Sequence, residues 1–218
     1  MKLYTSQGPN PLVVEFFTVE KKVPPDLIQP VEVDIIRGEN REPPYMTTIN
    51  PFGQLPALQL DSGAVICEVT AICEYLDGFG DSPSLIGTTP EEQAETRMWT
   101  RRVDLHICDP AANIVRYSPN LGLEFFKNRR VCMPEAVDGL TRSVTNSLNL
   151  VDRLMEGKTY LCGERFSLAD IFMFSFFLRL GSRLPFLLDT QRQNLHRWYN
   201  TVHARPAVQF LRPQPNQR

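Results

Sequence analysis

The stretch Asn50-Pro51-Phe52-Gly53-Gln54-Leu55-Pro56-Ala57-Leu58 decides how the first third of the chain folds. Pro56 stands near the start of an apolar run that continues to Leu60 and is typical of a β-strand. A proline cannot donate to a strand ladder, so it fits a strand start or an edge. Two explanations stay open: an ordinary strand led by a proline, or a cis Leu55–Pro56 peptide. The cis form would turn the backbone N–H and C=O of Leu55 outward, where they could pair with an extended, peptide-like ligand.

A second informative stretch is Ile66-Cys67-Glu68-Val69-Thr70-Ala71-Ile72, where a strand passes into a helix. The N–H groups at the start of a helix attract a carboxylate. Glu68, at the junction, can hold an ammonium group. A site with both would suit the head group of an α-amino acid. The alternative is that Glu68 only interacts favourably with the helix dipole.

The segments around these stretches alternate between strand and helix patterns. Period-two and 3.6-residue spacings predict strands at Lys2–Tyr4, Val31–Ile36, Leu55–Leu60 and Ala64–Ile66, and helices at Pro11–Glu20 and Glu68–Leu76. The turn Asp61-Ser62-Gly63 between two apolar runs indicates a hairpin. The order β-α-β followed by β-β-α predicts a four-stranded mixed sheet with a parallel half and an antiparallel half.

The sequence pattern changes after residue 80. A segment rich in glycine, serine and proline indicates a linker, and only helices are predicted beyond it. These helices are Glu91–Arg116, which Pro110 should kink or end, then Pro134–Met155, a very apolar helix opened by Ser167–Asp170, and Asn194–His203. We therefore predict two domains, an α+β domain over 1–80 and an all-α domain over 88–212. The polar tail, residues 212–218, is expected to fray.

Composition and charge exclude several classes of protein. The chain has 218 residues and a net charge of −2, which gives no reason to expect nucleic acid or a membrane as a partner. The charge is uneven, because residues 1–80 carry 5 basic and 11 acidic side chains, whereas residues 81–218 carry 18 and 14. The five cysteines are odd in number and form no Cys-x-x-Cys, which predicts reduced thiols in the cytoplasm and no metal site.

Taken together, these motifs resemble the cytosolic glutathione S-transferases, nearest to the theta-like and bacterial branches. The resemblance rests on the Lys2–Tyr4 strand, Asn10-Pro11, Gly38-Glu39-Asn40, the two stretches quoted above and the Ser167–Asp170 helix start. It implies a thioredoxin-like domain followed by a helical domain. It also implies a cytoplasmic homodimer with glutathione as co-substrate. The implied activity is detoxifying transfer of the glutathione thiolate to an electrophilic small molecule, with a possible peroxidase side activity.

In this family a donor between the first strand and the first helix lowers the pKa of the glutathione thiol. The resemblance puts Asn10 at that position, and its side-chain amide can donate to sulfur. Ser6 and Tyr4 are the nearby hydroxyl alternatives. Asn10 is also a residue preferred as a helix N-cap, and the two roles are compatible.

For the rest of glutathione, the resemblance implies backbone pairing of Leu55, led into place by Pro56, with the cysteinyl unit. Glu68 would bind the γ-glutamyl end, and Asn40 and Gln54 would lie near the glycine carboxylate. Position 69 usually carries a hydroxyl that joins the γ-glutamyl carboxylate. Here it is Val69, which leaves only its backbone N–H. Loss of one charge-assisted hydrogen bond costs about 1.5–3 kcal/mol in affinity.

The electrophile is expected to meet the first long helix of the second domain. The candidates are Arg102, His106 and Tyr117, with Arg101 and Asn113 beside them; for each, solvent exposure or core packing is an alternative explanation.

Three functions compete. Leu55-Pro56 and Glu68 favour a glutathione transferase. Asn10 and Val69 favour a transferase-like binding or interaction module with little catalysis. A glutaredoxin-like thiol oxidoreductase would need a cysteine near position 10, and Cys67 is the first in the chain.

Overall fold

The structure, a computed structural model, describes residues 1–212. The chain forms two compact units. The first consists of Met1–Ile86 with the described residues from Pro206 to Arg212, and the second of Gly87–Arg205. From residue 213 on, the predicted frayed tail lies outside the described residues. Among residues 1–212, no helix combines the length and the apolar character needed to cross a lipid bilayer.

The first unit is built on a four-stranded mixed sheet. Its strands are β1 (Lys2–Thr5), β2 (Gln29–Glu32), β3 (Ala57–Gln59) and β4 (Val65–Cys67), in the order β2-β1-β3-β4. β1 and β2 are parallel, whereas β1 with β3 and β3 with β4 are antiparallel. The prediction of a mixed sheet with a parallel and an antiparallel half is therefore confirmed.

Helices α1 (Pro9–Lys21), α2 (Tyr45–Thr48) and α3 (Val69–Leu76) complete this unit, with a short 3-10 helix at Glu39–Arg41. α1 and α3 pack against each other. The inward side of α1, including Leu12, Val13, Phe16 and Phe17, is fully buried and forms much of the core. Burial of apolar side chains of this size contributes about 1.5–3 kcal/mol each.

The strand predicted at Val31–Ile36 begins and ends earlier in the structure, as β2. Pro30 is accepted inside β2 because, among the described residues, the strand lies at the sheet edge and pairs with β1 alone. The strand ends because the Asp34 side chain accepts the N–H groups of Ile36 and Arg37, at 2.9 and 3.0 Å. An aspartate that bonds its own following backbone forms a turn and competes with strand pairing.

The second unit is helical. Its elements are α4 (Pro90–Val103), α5 (Asp109–Tyr117), α6 (Leu123–Phe126), α7 (Val137–Leu154), α8 (Leu168–Leu180) and α9 (Gln193–His203), with short 3-10 turns at Pro134–Ala136 and Pro185–Leu188. α8 is buried along nearly its whole length and packs against α4. This agrees with the predicted α+β unit followed by an all-α unit.

Pro110 changes the geometry of the first long helix but does not end the helical backbone. α4 ends at Val103 and α5 begins at Asp109, and a π-helical turn over Asp104–Cys108 joins them. A proline inside a regular α-helix would clash with the carbonyl four residues earlier. The wider π turn ahead of Pro110 changes the hydrogen-bonding pattern, so that the helical backbone continues through it.

The last described segment belongs to the first unit. The 3-10 helix Pro206–Phe210 packs against α1, and the Arg212 guanidinium pairs with Glu15 at 3.3 Å and also with Glu32. The sequence prediction placed residues 206–212 with the helical domain. In the structure they pack on the sheet-containing unit instead, because Ala207 and Leu211 have their apolar side chains buried there.

Candidate functional site

Strand register brings most of the predicted glutathione residues to one end of the sheet. Tyr4 pairs with Ala57, so the residue after β1, Ser6, lies beside the residues that precede β3. Ala57 also pairs with Cys67, so Glu68 lies on the other side of the same segment. The ends of β1 and β4 thus flank Leu55 and Pro56. α1 and α3 start within a few residues of those two strand ends.

The Leu55–Pro56 peptide is cis, as the sequence allowed. β3 begins only at Ala57, so Leu55 lies just outside the strand and is half-buried, whereas Pro56 is buried. Within residues 1–212, no hydrogen bond joins the backbone of Leu55 to another residue. Its N–H and C=O remain available to pair with an extended ligand.

Two hydrogen bonds join the loops on either side of α2, next to Leu55 and Pro56. The Asn40 side-chain amide donates to the carbonyl of Gly53 at 2.6 Å, and an Arg41 guanidinium N–H donates to the carbonyl of Phe52 at 3.1 Å. Gly53 has a φ of 60°, and a Cβ there would lie 2.6 Å from the carbonyl oxygen of Asn40. Only glycine fits such a close approach without displacing the loop.

The carbonyl of Gln54 is held by two further side chains. The Tyr45 hydroxyl donates to it at 2.7 Å and the Asn50 amide at 3.0 Å. Burial is the main cause that raises the pKa of Tyr45, so its hydroxyl stays a neutral donor. The side chain of Gln54 itself is exposed. Sequence reasoning missed Tyr45 and Asn50 as supports; the position of Asn50 directly before Pro51 was the only local signal of a fixed turn.

Glu68 has a backbone conformation that was not predicted. Its φ is 71°, and it is the residue directly before α3. A non-glycine residue at positive φ is strained by about 1–3 kcal/mol and persists only where its surroundings hold it. The side chain of Glu68 is exposed. Val69, the first residue of α3, is 8% exposed, so its side chain is largely shielded from solvent.

The start of α1 has few free hydrogen-bond donors, and most of them belong to Asn10. Gly8 is the N-cap residue, so the N-cap role considered for Asn10 is wrong; Asn10 is the second residue of the helix. Its neighbours Pro9 and Pro11 have no N–H, and the N–H of Leu12 bonds the carbonyl of Gly8 at 3.2 Å. In the helix itself, the first turn therefore keeps a single unpaired backbone N–H, that of Asn10.

The two hydroxyl alternatives differ in their contacts. The Tyr4 hydroxyl donates to the Gln59 side chain at 3.2 Å, and its ring makes an edge contact with Tyr45. Ser6 is half-buried, and within the described part of the chain its hydroxyl has no partner. The contact of Tyr4 with Gln59 leaves Asn10 and Ser6 as the better placed donors at this end of the sheet.

The predicted electrophile residues lie in the helical unit and have different surroundings. Arg102 is exposed, with its guanidinium 5.3 Å from the ring centre of Trp99. His106 is exposed on the π-helical turn. Tyr117, the last residue of α5, is only 8% exposed, which fits the packing explanation for this residue. Arg101 pairs with Asp104 at 3.1 Å, and Asn113 donates to Asp109 at 3.0 Å.

A mixed sheet of this order with a cis proline at the start of β3, followed by an all-helical unit, defines a thioredoxin-like protein of the glutathione-transferase class. Two family models agree. The model described as "Glutathione S-transferase, N-terminal domain" matches residues 10–78, and the one described as "Glutathione S-transferase, C-terminal domain" matches residues 121–206.

Individual relatives support the same assignment. Glutathione S-transferase 2 of Saccharomyces cerevisiae is 28% identical over 95% of this chain and 87% of the yeast protein. The crystal structure of Gtt2 from Saccharomyces cerevisiae superposes with a TM-score of 0.85 at 27% identity, covering 96% of this chain and 99% of that one. Human elongation factor 1-gamma is 31% identical over 79% of this chain, but this is 37% of that protein. The chain belongs to the glutathione S-transferase family.

Proposed function

We propose that this protein is a glutathione transferase that conjugates the glutathione thiolate to an electrophilic small molecule. The observation that carries the proposal is the convergence of an unpaired Leu55 backbone, Glu68 and the start of α1 at one end of the sheet. These three features offer binding groups for the cysteinyl unit, the γ-glutamyl end and the sulfur of one tripeptide. Family membership supports the same activity.

Glutathione would bind in an extended form. The N–H and C=O of Leu55, oriented by Pro56, would pair with the cysteinyl unit as one more strand residue does. The Glu68 carboxylate would bind the γ-glutamyl ammonium, and the Val69 N–H at the start of α3 would donate to its carboxylate. Asn40 already donates to Gly53, so it would act mainly by fixing the loop, and the exposed Gln54 side chain would reach the glycine carboxylate.

The reaction needs the thiol to lose its proton. A free thiol has a pKa of about 8.5, and the thiolate is the nucleophile. Asn10 would donate its side-chain N–H, and its backbone N–H lies at the positive end of α1, so both would favour the anion. Ser6 is the second candidate. The proton passes to solvent, the sulfur forms a bond with the electrophilic carbon, and the leaving group departs with the bonding pair.

We further propose residues 1–80 as the glutathione domain and the helical unit, from residue 88 to Arg205, as the electrophile domain, with Arg102, His106 and Tyr117 as candidate pocket residues. A homodimer in the cytoplasm with a role in detoxification fits the family. All five cysteines are unpaired, which fits a reducing compartment. Reduction of a peroxide by the same thiolate, with a second glutathione forming the disulfide, is a secondary possibility.

The second candidate is a transferase-like binding module. Its support is the absence of a hydroxyl at position 10 and at position 69, together with the similarity to part of an elongation factor. This candidate predicts that glutathione binds without being activated, or does not bind.

Calorimetric titration with glutathione tests the proposal, followed by conjugation to a chlorodinitrobenzene with release of chloride. We expect binding below millimolar concentration, and Glu68→Gln should weaken it about tenfold or more, as loss of a charged hydrogen bond does. The control Asp26→Asn removes one exposed carboxylate from the same unit and should change little. No binding at millimolar glutathione would refute the transferase.

A further inference from the structure

A buried tyrosine to which the proposed transfer reaction gives no part lies behind the segment that would bind glutathione. Tyr45 is the first residue of α2, and it is 6% exposed. Its ring meets the ring of Tyr4, on β1, edge to face, with ring centres 5.9 Å apart. Side chains packed in a protein core keep one rotamer on average. The hydroxyl at the tip of the Tyr45 ring therefore has a defined position relative to the sheet.

The Tyr45 hydroxyl acts on one peptide group, the one that joins Gln54 to Leu55. The hydroxyl and the side-chain amide of Asn50 donate to the Gln54 carbonyl oxygen at 2.7 and 3.0 Å. A carbonyl oxygen has two lone pairs, so both of its acceptor positions are in use. The peptide group is trans and planar, so this C=O and the Leu55 N–H point in opposite directions. Two donors on the oxygen thus fix the direction of the Leu55 N–H.

The backbone of Leu55 has no other support from the sheet. β3 begins only at Ala57, and within residues 1–212 no hydrogen bond joins the Leu55 backbone to another residue. The direction of its N–H therefore depends on the peptide group it shares with Gln54. Hydrogen bonds accepted by a C=O also polarise the peptide group and make its N–H a stronger donor. The contacts at the Gln54 carbonyl both direct and strengthen this N–H.

Tyr45 holds the turn that precedes β3 at both of its ends. Its backbone carbonyl accepts the N–H of Asn50 at 3.1 Å, and its hydroxyl bonds the carbonyl of Gln54. Between these ends, the Asn50 side chain accepts the N–H of Phe52 at 3.0 Å, and the Asn50 carbonyl accepts that of Gly53 at 2.8 Å. The turn is therefore held together internally, and Tyr45 joins it to α2 and, through its ring, to β1.

We propose that Tyr45 is a positioning residue for glutathione, which acts through the Gln54 carbonyl to direct the Leu55 N–H at the carbonyl of the cysteinyl unit. This role rests on the proposed transferase function and deepens it, because it names the residue that keeps the binding segment in its binding form before the ligand arrives. A group that is already ordered binds more tightly than one that the ligand must order. Tyr45 has no part in activating the sulfur, so its hydroxyl affects the affinity for glutathione and not the chemical step.

A matched pair of variants tests this role on the full chain. Tyr45→Phe removes the hydroxyl and keeps the ring, and Tyr75→Phe removes the hydroxyl of a half-buried tyrosine on α3 as the control. Calorimetry should show glutathione binding about fivefold weaker in Tyr45→Phe, the effect of one neutral hydrogen bond, and unchanged in Tyr75→Phe. The KM for glutathione should rise by the same factor, while kcat and the pKa of the bound thiol keep their wild-type values.

Two negative results have different meanings. A wild type that binds glutathione, together with a Tyr45→Phe variant that binds it equally well, would overturn the role of Tyr45 and leave the transferase standing. A fall in kcat without a rise in KM would also contradict a role in positioning. A wild type that binds no glutathione at millimolar concentration refutes the proposed function, and the role of Tyr45 with it.

A second measurement reports on the Leu55 amide directly. In protein labelled with an NMR-active nitrogen isotope at leucine, Leu55→Val identifies the Leu55 signal by its loss. Saturation with glutathione should move this amide proton downfield, and by less in Tyr45→Phe than in the wild type. Equal shifts in the two proteins would show that Tyr45 does not direct this N–H. If Tyr45→Phe does not fold, Asn50→Asp replaces the second donor to the Gln54 carbonyl by an acceptor, and should likewise weaken binding and reduce the shift.

Discussion

Glu68 combines a strained backbone with an exposed carboxylate. Its φ of 71° places it directly before α3, where the helix donors face the same end of the sheet as Leu55. Strained residues cluster at binding sites because the surrounding fold holds a geometry that the ligand needs. The sequence identified Glu68 by its position between strand and helix, but its conformation depends on how β4 and α3 meet, which local spacing does not encode.

Val69 offers a test by gain of function. Val69→Thr keeps the shape of the side chain and restores the hydroxyl that the family usually places beside the γ-glutamyl carboxylate. We expect the Kd for glutathione to fall about tenfold, in line with about 1.5 kcal/mol for a charge-assisted hydrogen bond. Calorimetry measures the change, and Thr70→Val, at the exposed neighbouring position, is the control. Unchanged or weaker binding by Val69→Thr would argue against this placement of the γ-glutamyl end.

The role of Asn10 is tested by the pKa of the bound glutathione thiol and not by the affinity for glutathione. Asn10→Ala removes the side-chain donor but keeps the backbone N–H, so the pKa of bound glutathione should rise while the Kd changes little. Ser6→Ala is the parallel variant. Ultraviolet absorbance of the thiolate against pH measures both. An unchanged pKa in Asn10→Ala, with a raised pKa in Ser6→Ala, would transfer the role to Ser6.

Helices in this chain are defined more by their first residues than by their apolar spacing. The predicted helix at Pro11–Glu20 begins two residues earlier, because Gly8 serves as N-cap and Pro9 fits the first position. The capping box at the start of α8 was predicted from Ser167 and Asp170 and is present. The π-helical turn ahead of Pro110 was not predicted, because the sequence indicates that a regular helix must be interrupted there but not how.

Asp170 makes the start of α8 sensitive to pH. It is fully buried, and its oxygens accept hydrogen bonds from Leu161, Trp198 and Ser167 at 2.8 to 3.1 Å. Burial raises the pKa of Asp170 to about 6 despite these bonds. The native state therefore binds more protons than the unfolded chain between about pH 4 and pH 6. As the pH rises from about 4 to about 6, the contribution of Asp170 to the free energy of unfolding therefore falls. The total loss is about 3 kcal/mol, at 1.36 kcal/mol per pH unit.

The prediction is a pH-dependent difference between the wild type and Asp170→Asn. Urea unfolding should show the variant destabilised at every pH, because its amide N–H₂ faces backbone donors, and more so at pH 4.5 than at pH 7. Asp138→Asn, an exposed acidic residue in the first turn of α7, is the control. A stability difference that is constant or grows with pH would contradict the raised pKa.

At the scale of the whole molecule, the sequence predicted the fold correctly but assigned the C-terminal residues 206–212 to the other domain. The change of sequence pattern after residue 80 marks the passage from the mixed sheet to the helices. The excess of acidic residues lies in the sheet-containing part. Residues 206–212 pack on that part instead, since their contacts with α1 and the ion pairs of Arg212 are long-range and leave no local pattern. The candidate glutathione residues could be proposed from sequence because their motifs are local. The pocket residues on α4 and α5 depend on tertiary surroundings, and their role stays a prediction.

The proposed homodimer has a direct test. Sedimentation equilibrium should give a particle of twice the mass of one chain, with dissociation only on strong dilution or denaturation. A monomer at micromolar concentration that retains full conjugating activity would show that the dimer is not needed for function.

The central claim is that the protein binds glutathione and lowers the pKa of its thiol. The most direct measurement is the ultraviolet absorbance of the thiolate in the saturated complex, followed from pH 5 to pH 10 against free glutathione. We predict a transition at least one pH unit below the ordinary thiol value of about 8.5, owing to the donors at the start of α1. A complex that titrates like free glutathione would contradict it.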